Sequence, residues 1–271
     1  MRFFYMLLMI LMLMQTRAQQ NDRYSKGNFY FYWGYNRSAF TNSAITFTGN
    51  NYNFTLYNVQ AIDKPSQFSF KEYFGASSFT VPQYTYRMGY FVRDGWCLSL
   101  GMDHMKYVMQ AYQTVAITGQ INEDNNPYNG TYQTGDQIVL TPEFLQFEHT
   151  DGLNFLNFSL DRYLKLYTTP RHQFMLSIYT GAGFGLVIPK SNVTLMNGER
   201  NDEFHLAGYG FQGNAGLEML FFKHAFLRMG AKGGFIHLPD ILTRPNDAPD
   251  RAKQHFWYGM ADFAIGWQWA F

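Results

Sequence analysis

The sequence predicts an all-β chain: a transmembrane, antiparallel, up-and-down β-barrel of about eight strands, with long loops at one end and both termini at the other. Three observations carry this. The last stretch, residues 254–271 (QHFWYGMADFAIGWQWAF), alternates with period two, placing Trp257, Phe263, Ile265, Trp267, Trp269 and Phe271 on one side and Tyr258, Met260, Asp262, Ala264, Gly266 and Gln268 on the other. A half-buried strand of a soluble β-sandwich, the competing reading, turns its aromatic face inward and leaves charges outside. Here the aromatic face is too rich, and the opposite face is small and polar with one carboxylate, the pattern of a strand between lipid and a narrow lumen. Second, similar segments recur along the chain, joined by connections that alternate short and long. Third, the 271 residues are 46% hydrophobic and 19% aromatic, yet no apolar run is long enough to span a membrane as a helix.

The longest such run, residues 3–14 (FFYMLLMILMLM), follows Arg2 and precedes Thr16-Arg17-Ala18, so it reads as an export signal cleaved after Ala18. Residues 19–271 then form one barrel domain. Gln19 leaves no cysteine for a lipid anchor at that site. Removing Arg2 and Arg17 from 21 basic residues leaves 19 against 20 acidic, a net charge of −1, and nothing in that balance suggests nucleic-acid binding. Cys97 is the one cysteine, so no intrachain disulfide forms. Metal-binding, phosphate-loop and nucleophile-elbow motifs are absent, and no cofactor is expected.

The strands follow in order. Residues 26–37 place Phe29, Phe31, Trp33 and Tyr35 on one face and Tyr30, Tyr32, Gly34 and Asn36 on the other. Residues 38–80 form a long excursion with strand-like pieces at 44–48 and 52–61 and an irregular return at 70–75. The second strand, 83–92, turns Tyr86, Met88 and Tyr90 outward and Arg87 and Gly89 inward, and Arg93-Asp94-Gly95 makes a tight turn. The third, from Trp96, sends Leu98, Leu100 and Met102 to lipid and Ser99, Gly101 and Asp103 to the lumen. A polar excursion at 110–142 contains another strand-like piece at 112–121. The fourth strand, 147–163, turns Leu156, Phe158 and Leu160 outward and Asn157, Ser159 and Asp161 inward, and the fifth, 173–188, lines the lumen with Ser177, Tyr179 and glycines. After a polar loop at 189–203, the sixth strand (205–221) points Gln212, Asn214 and Glu218 inward. The seventh (226–237) does the same with Arg228 and Lys232, and 238–253 is the last long loop.

Residue Phe271 ends the chain on an aromatic side chain and resembles the C-terminal signature of Gram-negative outer-membrane β-barrels. The resemblance implies a location in the cell outer membrane, recognition of Phe271 by the barrel assembly machinery, periplasmic termini, and contact with outer-membrane lipid and lipopolysaccharide. An eight-stranded barrel is just wide enough for its own side chains. The inward cations Arg87, Arg228 and Lys232 and the inward anions Asp103, Asp161, Glu218 and Asp262 are therefore expected to form a paired network that plugs the lumen.

Two histidines stand beside carboxylates, in Asp103-His104 and in His149-Thr150-Asp151. Such pairs can serve general-base chemistry or bind a metal. Strand parity sends His149 and Asp151 inward and His104 outward. The segment HTDGLN at 149–154 is similar to the His-x-Ser segment of the lipid A deacylases, with Asp151 where that family has its nucleophilic serine. The sequence thus supports a non-enzymatic outer-membrane barrel with a plugged polar interior, whose loops at 38–80 and 110–142 bind a ligand or another envelope protein. The alternative is an outer-leaflet lipid hydrolase drawing on Asp103, His104, His149 and Asp151.

Overall fold

A computed structural model describes residues 23–245 and 249–269, so the leader at 1–18 and Phe271 lie outside the described residues. Strands β1 (Phe29–Phe40), β2 (Ser43–Thr48), β3 (Tyr52–Val59) and β4 (Ala61–Asp63) precede a short helix, α1 (Phe70–Phe74). Next come β5 (Tyr84–Arg93), β6 (Trp96–Met109), β7 (Thr114–Ile121), β8 (Gly130–Tyr132), β9 (Gln137–Val139) and β10 (Leu145–Thr168). The chain continues through β11 (Phe174–Val187), β12 (Lys190–Leu195), β13 (Asn201–Phe204), β14 (Gly208–Phe221), β15 (Ala225–Leu242) and β16 (Arg251–Trp269).

Eight of these strands close a ring in the order β1-β5-β6-β10-β11-β14-β15-β16, with β16 returning to β1. Every neighbouring pair is antiparallel, and the closing pair runs in unbroken register from Phe29 opposite Trp269 to Phe40 opposite Tyr258. The ring leaves no free edge among its own strands, which is the condition for crossing lipid with strands. Alternation then sorts the side chains. Leu98, Phe158, Leu160, Phe184, Phe263 and Ile265 are exposed on the outer wall, while Arg87, Ser99, Asn157, Asp161 and Asn214 are buried inside. On β16 the belt runs from Trp257 to Trp269, both exposed. The twelve residue steps between them, at a rise of about 3.3 Å and a tilt near 45°, give an apolar height of about 28 Å, close to the ~25 Å band of a membrane barrel. Through this belt the barrel spans the membrane.

Short connections link β5 to β6, β10 to β11 and β14 to β15, all at one end. At the other end the long connections build a second tier. Where β1 stops, β2 takes its place beside β16, from Ile45 opposite Gln254 to Thr48 opposite Arg251. β3 pairs with β2, β7 with β3, and β8 and β9 flank β7. β4 adds to the upper end of β6, and the β12–β13 hairpin adds to the upper end of β10. The inner faces of this tier bury Ile45, Phe47, Phe54, Ile117, Phe147 and Val193 in one hydrophobic core, which reaches down to Phe155 and Tyr258 of the ring.

The structure corrects several elements of the sequence reading, and β10 and β15 run beyond the expected 147–163 and 226–237. β1 begins and ends three residues later than 26–37. The return at 70–75 contains a helix, capped by Ser69 Oγ accepting from the Glu72 amide at 3.1 Å. The stretch 189–203, polar enough to read as loop, is the β12–β13 hairpin. Its alternation, with Ser191, Val193 and Leu195 buried, is only three positions long and is set by pairing with β10.

Candidate functional site: the lumen and the long-loop tier

Tyrosine fills the short-turn end of the lumen. Tyr24, Tyr30, Tyr32, Tyr163 and Tyr179 are buried there with Phe91 and Phe226. The Arg228 guanidinium carbon sits 3.4 Å from the Tyr179 ring centroid and 5.0 Å from that of Tyr32, and its Nη1 donates to the Tyr163 hydroxyl at 2.7 Å. Glu218 completes this storey: Oε2 lies 3.8 Å from Arg228, and Oε1 accepts from the Tyr24 hydroxyl at 3.2 Å. Glycine makes the room. A Cβ at Gly216 or Gly230 would collide with the Tyr179 hydroxyl, and one at Gly89 with the Tyr30 ring. These three inward glycines are therefore sockets for Tyr30 and Tyr179.

Above the tyrosines lies a charged storey. Lys232 Nζ contacts Asp103 Oδ1 at 2.6 Å, Thr85 Oγ1 at 3.4 Å and Asp262 Oδ2 at 3.7 Å. Arg87 donates to Ser99 Oγ (3.1 Å), Ser159 Oγ (2.9 Å) and Asn157 Oδ1 (2.6 Å), and approaches Asp103 Oδ2 at 3.9 Å. Asp161 accepts from Ser99 Oγ at 3.0 Å and from Asn214 Nδ2 at 2.9 Å. Gln212 joins Asn157 to Tyr258, donating to Asn157 Oδ1 at 3.0 Å and accepting from the Tyr258 hydroxyl at 2.9 Å. Of the cations and anions singled out in the sequence, Arg87, Lys232, Asp103, Asp161 and Asp262 share the charged storey, and Arg228 and Glu218 pair with each other among the tyrosines.

The four candidate catalytic residues occupy four different surroundings. Asp103 is fully buried in the charged storey. His104 is on the outer side of the wall, as parity predicts, but is covered: its ring stacks on Tyr84 at 4.6 Å and Nδ1 pairs with Asn154 Oδ1 at 2.8 Å. His149 points inward, into the hydrophobic core of the tier, with its ring centroid 5.1 Å from that of Phe147 and Nδ1 3.0 Å from Ser191 Oγ. It lies beyond the membrane belt, and burial pulls its pKa down to about 3, with Gln254 offsetting part of the shift. Asp151 does not point inward. From His149, opposite Tyr107, to Leu153, opposite Met105, β10 advances four residues where β6 advances only two. The two extra residues bulge outward at Gly152, whose φ is +138°. An even insertion restores the parity of His149, while Asp151 is expelled to the surface, where it pairs with Lys190 at 3.1 Å. The similarity of 149–154 to a deacylase motif therefore falls on a bulge that separates the two residues it would need together. Ser191 is the hydroxyl that His149 meets, forty-two residues away on β12, and only the hairpin pairing reveals it.

Among the described residues no three His, Cys, Asp or Glu side chains gather as a metal-binding group. The tier instead offers shallow outer depressions. One of about 310 Å³ is lined by Asn53, Gly119, Gln120, Thr131 and Tyr132. Another of about 310 Å³, where β2 meets β16, is lined by residues that include Asn42, Asn58, His255 and Trp257.

No protein-family model and no curated protein sequence matches the chain. Among solved structures, it is similar to the outer membrane protein OprG of Pseudomonas aeruginosa, with 9% identity and a TM-score of 0.38 over 91% of this chain and 98% of that one. It is similar to the outer membrane protein AlkL, solved in lipid bilayers, with 9% identity and a TM-score of 0.41 over 95% and 97%. It is also similar to the attachment invasion locus protein Ail of Yersinia pestis, crystallised with a heparin analogue, with 8% identity and a TM-score of 0.35 over 90% and 99%. These are likenesses of fold alone, that of a closed eight-stranded antiparallel ring.

Proposed function

We propose that this barrel is a non-enzymatic binding protein of the outer membrane: its lumen is plugged, and its long-loop tier presents a surface to another envelope protein or an external ligand. The observation that carries this is the tier itself. Residues 41–63 and 110–144 are strand-paired and share a hydrophobic core, and ordering that much chain above the membrane has no role in closing the ring. The tier's outer side is rich in neutral hydrogen-bonding groups, with Asn50, Asn53, Asn58, Gln120 and Thr131 exposed, and Tyr57 and Tyr112 are exposed beside them. Rigid tyrosines among adaptable amides and hydroxyls are the composition of a recognition surface. In this reading residues 1–18 direct export, 19–271 form one barrel, the termini are periplasmic and Phe271 is read by the assembly machinery. Arg87, Asp161, Glu218, Arg228, Lys232 and Asp262 hold the lumen shut.

The test has two arms. A photocrosslinking residue at the exposed Asn53 should capture a discrete partner in intact cells, and a variant with residues 122–137 shortened to a turn should lose it while still assembling. Mass spectra of envelope lipids should be the same with and without the protein. A deacylated lipid that appears only with intact His149 would establish the hydrolase in place of the binder.

A further inference from the structure

The flap between β4 and β5, residues 64–83, lies against the outside of the barrel wall. The Phe79 ring packs 4.9 Å from Trp33, and Trp33 stacks on Tyr84 at 4.8 Å and on Tyr86 at 5.8 Å. These are outward side chains of β1 and β5, continuous with Met88 and Tyr90 of the apolar belt. The flap is also tied to the wall by polar contacts. Tyr35 donates its hydroxyl to the Tyr73 carbonyl, and Arg37 Nη2 donates to the Tyr73 hydroxyl at 2.8 Å.

Yet the flap turns its large apolar side chains away from the protein. Phe68, Phe70 and Phe74 are 67%, 76% and 65% exposed, and Val81 is 50% exposed. The three phenylalanines form one cluster, with Phe70 centroids 5.5 Å from Phe68 and 5.8 Å from Phe74. A flap that served only to cover the wall would bury these rings, and in water the cluster would be a large uncompensated apolar patch. The backbone beneath it is provided for. Amides of Tyr73, Gly75, Ser78, Phe79 and Val81 donate within the flap, to Ser69, Lys71, Gly75, Gly75 and Ser78 carbonyls. Ser69 Oγ takes the Glu72 amide, Tyr73 donates to the Ser66 carbonyl, and Ser78 donates to the Lys71 carbonyl. Irregular chain survives next to hydrocarbon only when its polar groups are satisfied in this way. Lys71 and Arg37 are exposed beside the phenylalanines, at positions from which their charges can reach phosphate-bearing headgroups.

We propose that residues 68–81 are a membrane anchor seated in the leaflet at the long-loop end, with Phe68, Phe70 and Phe74 among the acyl chains. The anchor rests on the barrel being membrane-embedded and is independent of what the tier binds. It is tested with the full chain in phosphatidylcholine–phosphatidylglycerol vesicles, carrying a nitroxide at Phe70→Cys or Phe74→Cys. Phe158→Cys serves as the belt reference and Thr134→Cys as the aqueous reference. Cys97 is buried and stays unlabelled, and a Cys97→Ser background checks this. The labels at 70 and 74 should favour oxygen over an aqueous nickel chelate, as at 158, with the opposite preference at 134. Nickel access at 70 and 74 equal to that at 134 would overturn the anchor. Exclusion of both reagents would also overturn it, because the face would then be covered by protein, a second copy included. Aqueous access at 158 would sink both the anchor and the membrane-embedded barrel.

Discussion

Lys232→Met is the most demanding perturbation of the lumen. In the native barrel Lys232 is the cation that reaches Asp262, at 3.7 Å, and it contacts Asp103 at 2.6 Å. All three side chains are at most 3% exposed. Neither carboxylate oxygen of Asp262 has a hydrogen-bond partner. Methionine preserves most of the volume but leaves Asp262 without its counter-charge and Asp103 with only the more distant Arg87, at 3.9 Å. Breaking a buried pair from one side costs about 3–5 kcal/mol. With a urea slope of about 2 kcal/mol per M, the unfolding midpoint of the reconstituted barrel should fall by about 2 M without a change of slope. Adding Asp262→Asn to Lys232→Met removes the stranded charge and should recover most of the loss, although each change alone destabilises. A Lys232→Met barrel within about 1 kcal/mol of the native one would refute the reasoning, because water would then be solvating Asp262 through an open lumen.

Phe158→Arg places a cation on the exposed mid-belt face of β10 and should cost about 2–4 kcal/mol in vesicle refolding. Ser159→Arg should prevent assembly, since the buried Ser159 Oγ is 2.9 Å from Arg87 Nη1 and a second guanidinium there would meet a like charge, so equal, mild effects at both positions would contradict the strand parity. His149 carries a pH signature: with a folded pKa of about 3 and an unfolded value near 6.5, the unfolded chain takes up the proton first, so stability is full above pH 6.5 and declines as pH falls toward 3. Between pH 7 and 5 the urea midpoint should record a loss of about 2 kcal/mol that His149→Asn abolishes; an unchanged pH profile in the variant would remove His149 as its source. Phe271→Ala should lower the amount of assembled barrel in the outer membrane while leaving the unfolding midpoint of the assembled fraction unchanged, and undiminished assembly would remove the proposed signal.

The ring was legible because its signal is redundant. Alternation along each wall strand repeats over ten or more residues, and the connections alternate in length, so errors of a few residues at β1 or β10 leave the parity of Arg87, Asp161, Glu218 and Lys232 intact. The inward charges were legible for the same reason. Three features were not. Tyr30, Tyr32, Tyr163 and Tyr179 are inward by parity, but that Tyr30 and Tyr179 fit over Gly89 and Gly216 of the neighbouring strands depends on register, which no single strand encodes. The β12–β13 hairpin is too short for its period to show. Asp151 is misplaced because parity counting assumes an unbroken ladder. Glycine at 152 was the available clue to a bulge, since the conformation it adopts there is one that other residues rarely take. The apolar side chains of the 64–83 flap were visible in the sequence, but only their outward orientation distinguishes an anchor from a core.

The proposal of a plugged barrel that works through its surface is tested most directly by conductance. Purified protein inserted into planar bilayers at neutral pH should give no stepwise current, because tyrosines around Arg228, the charged storey around Lys232 and the core of the tier fill successive levels of the lumen. Insertion is verified in the same bilayers by labelling an exposed cysteine at Thr134. A steady, ohmic current per inserted barrel that disappears on unfolding would contradict the account and make the chain a pore.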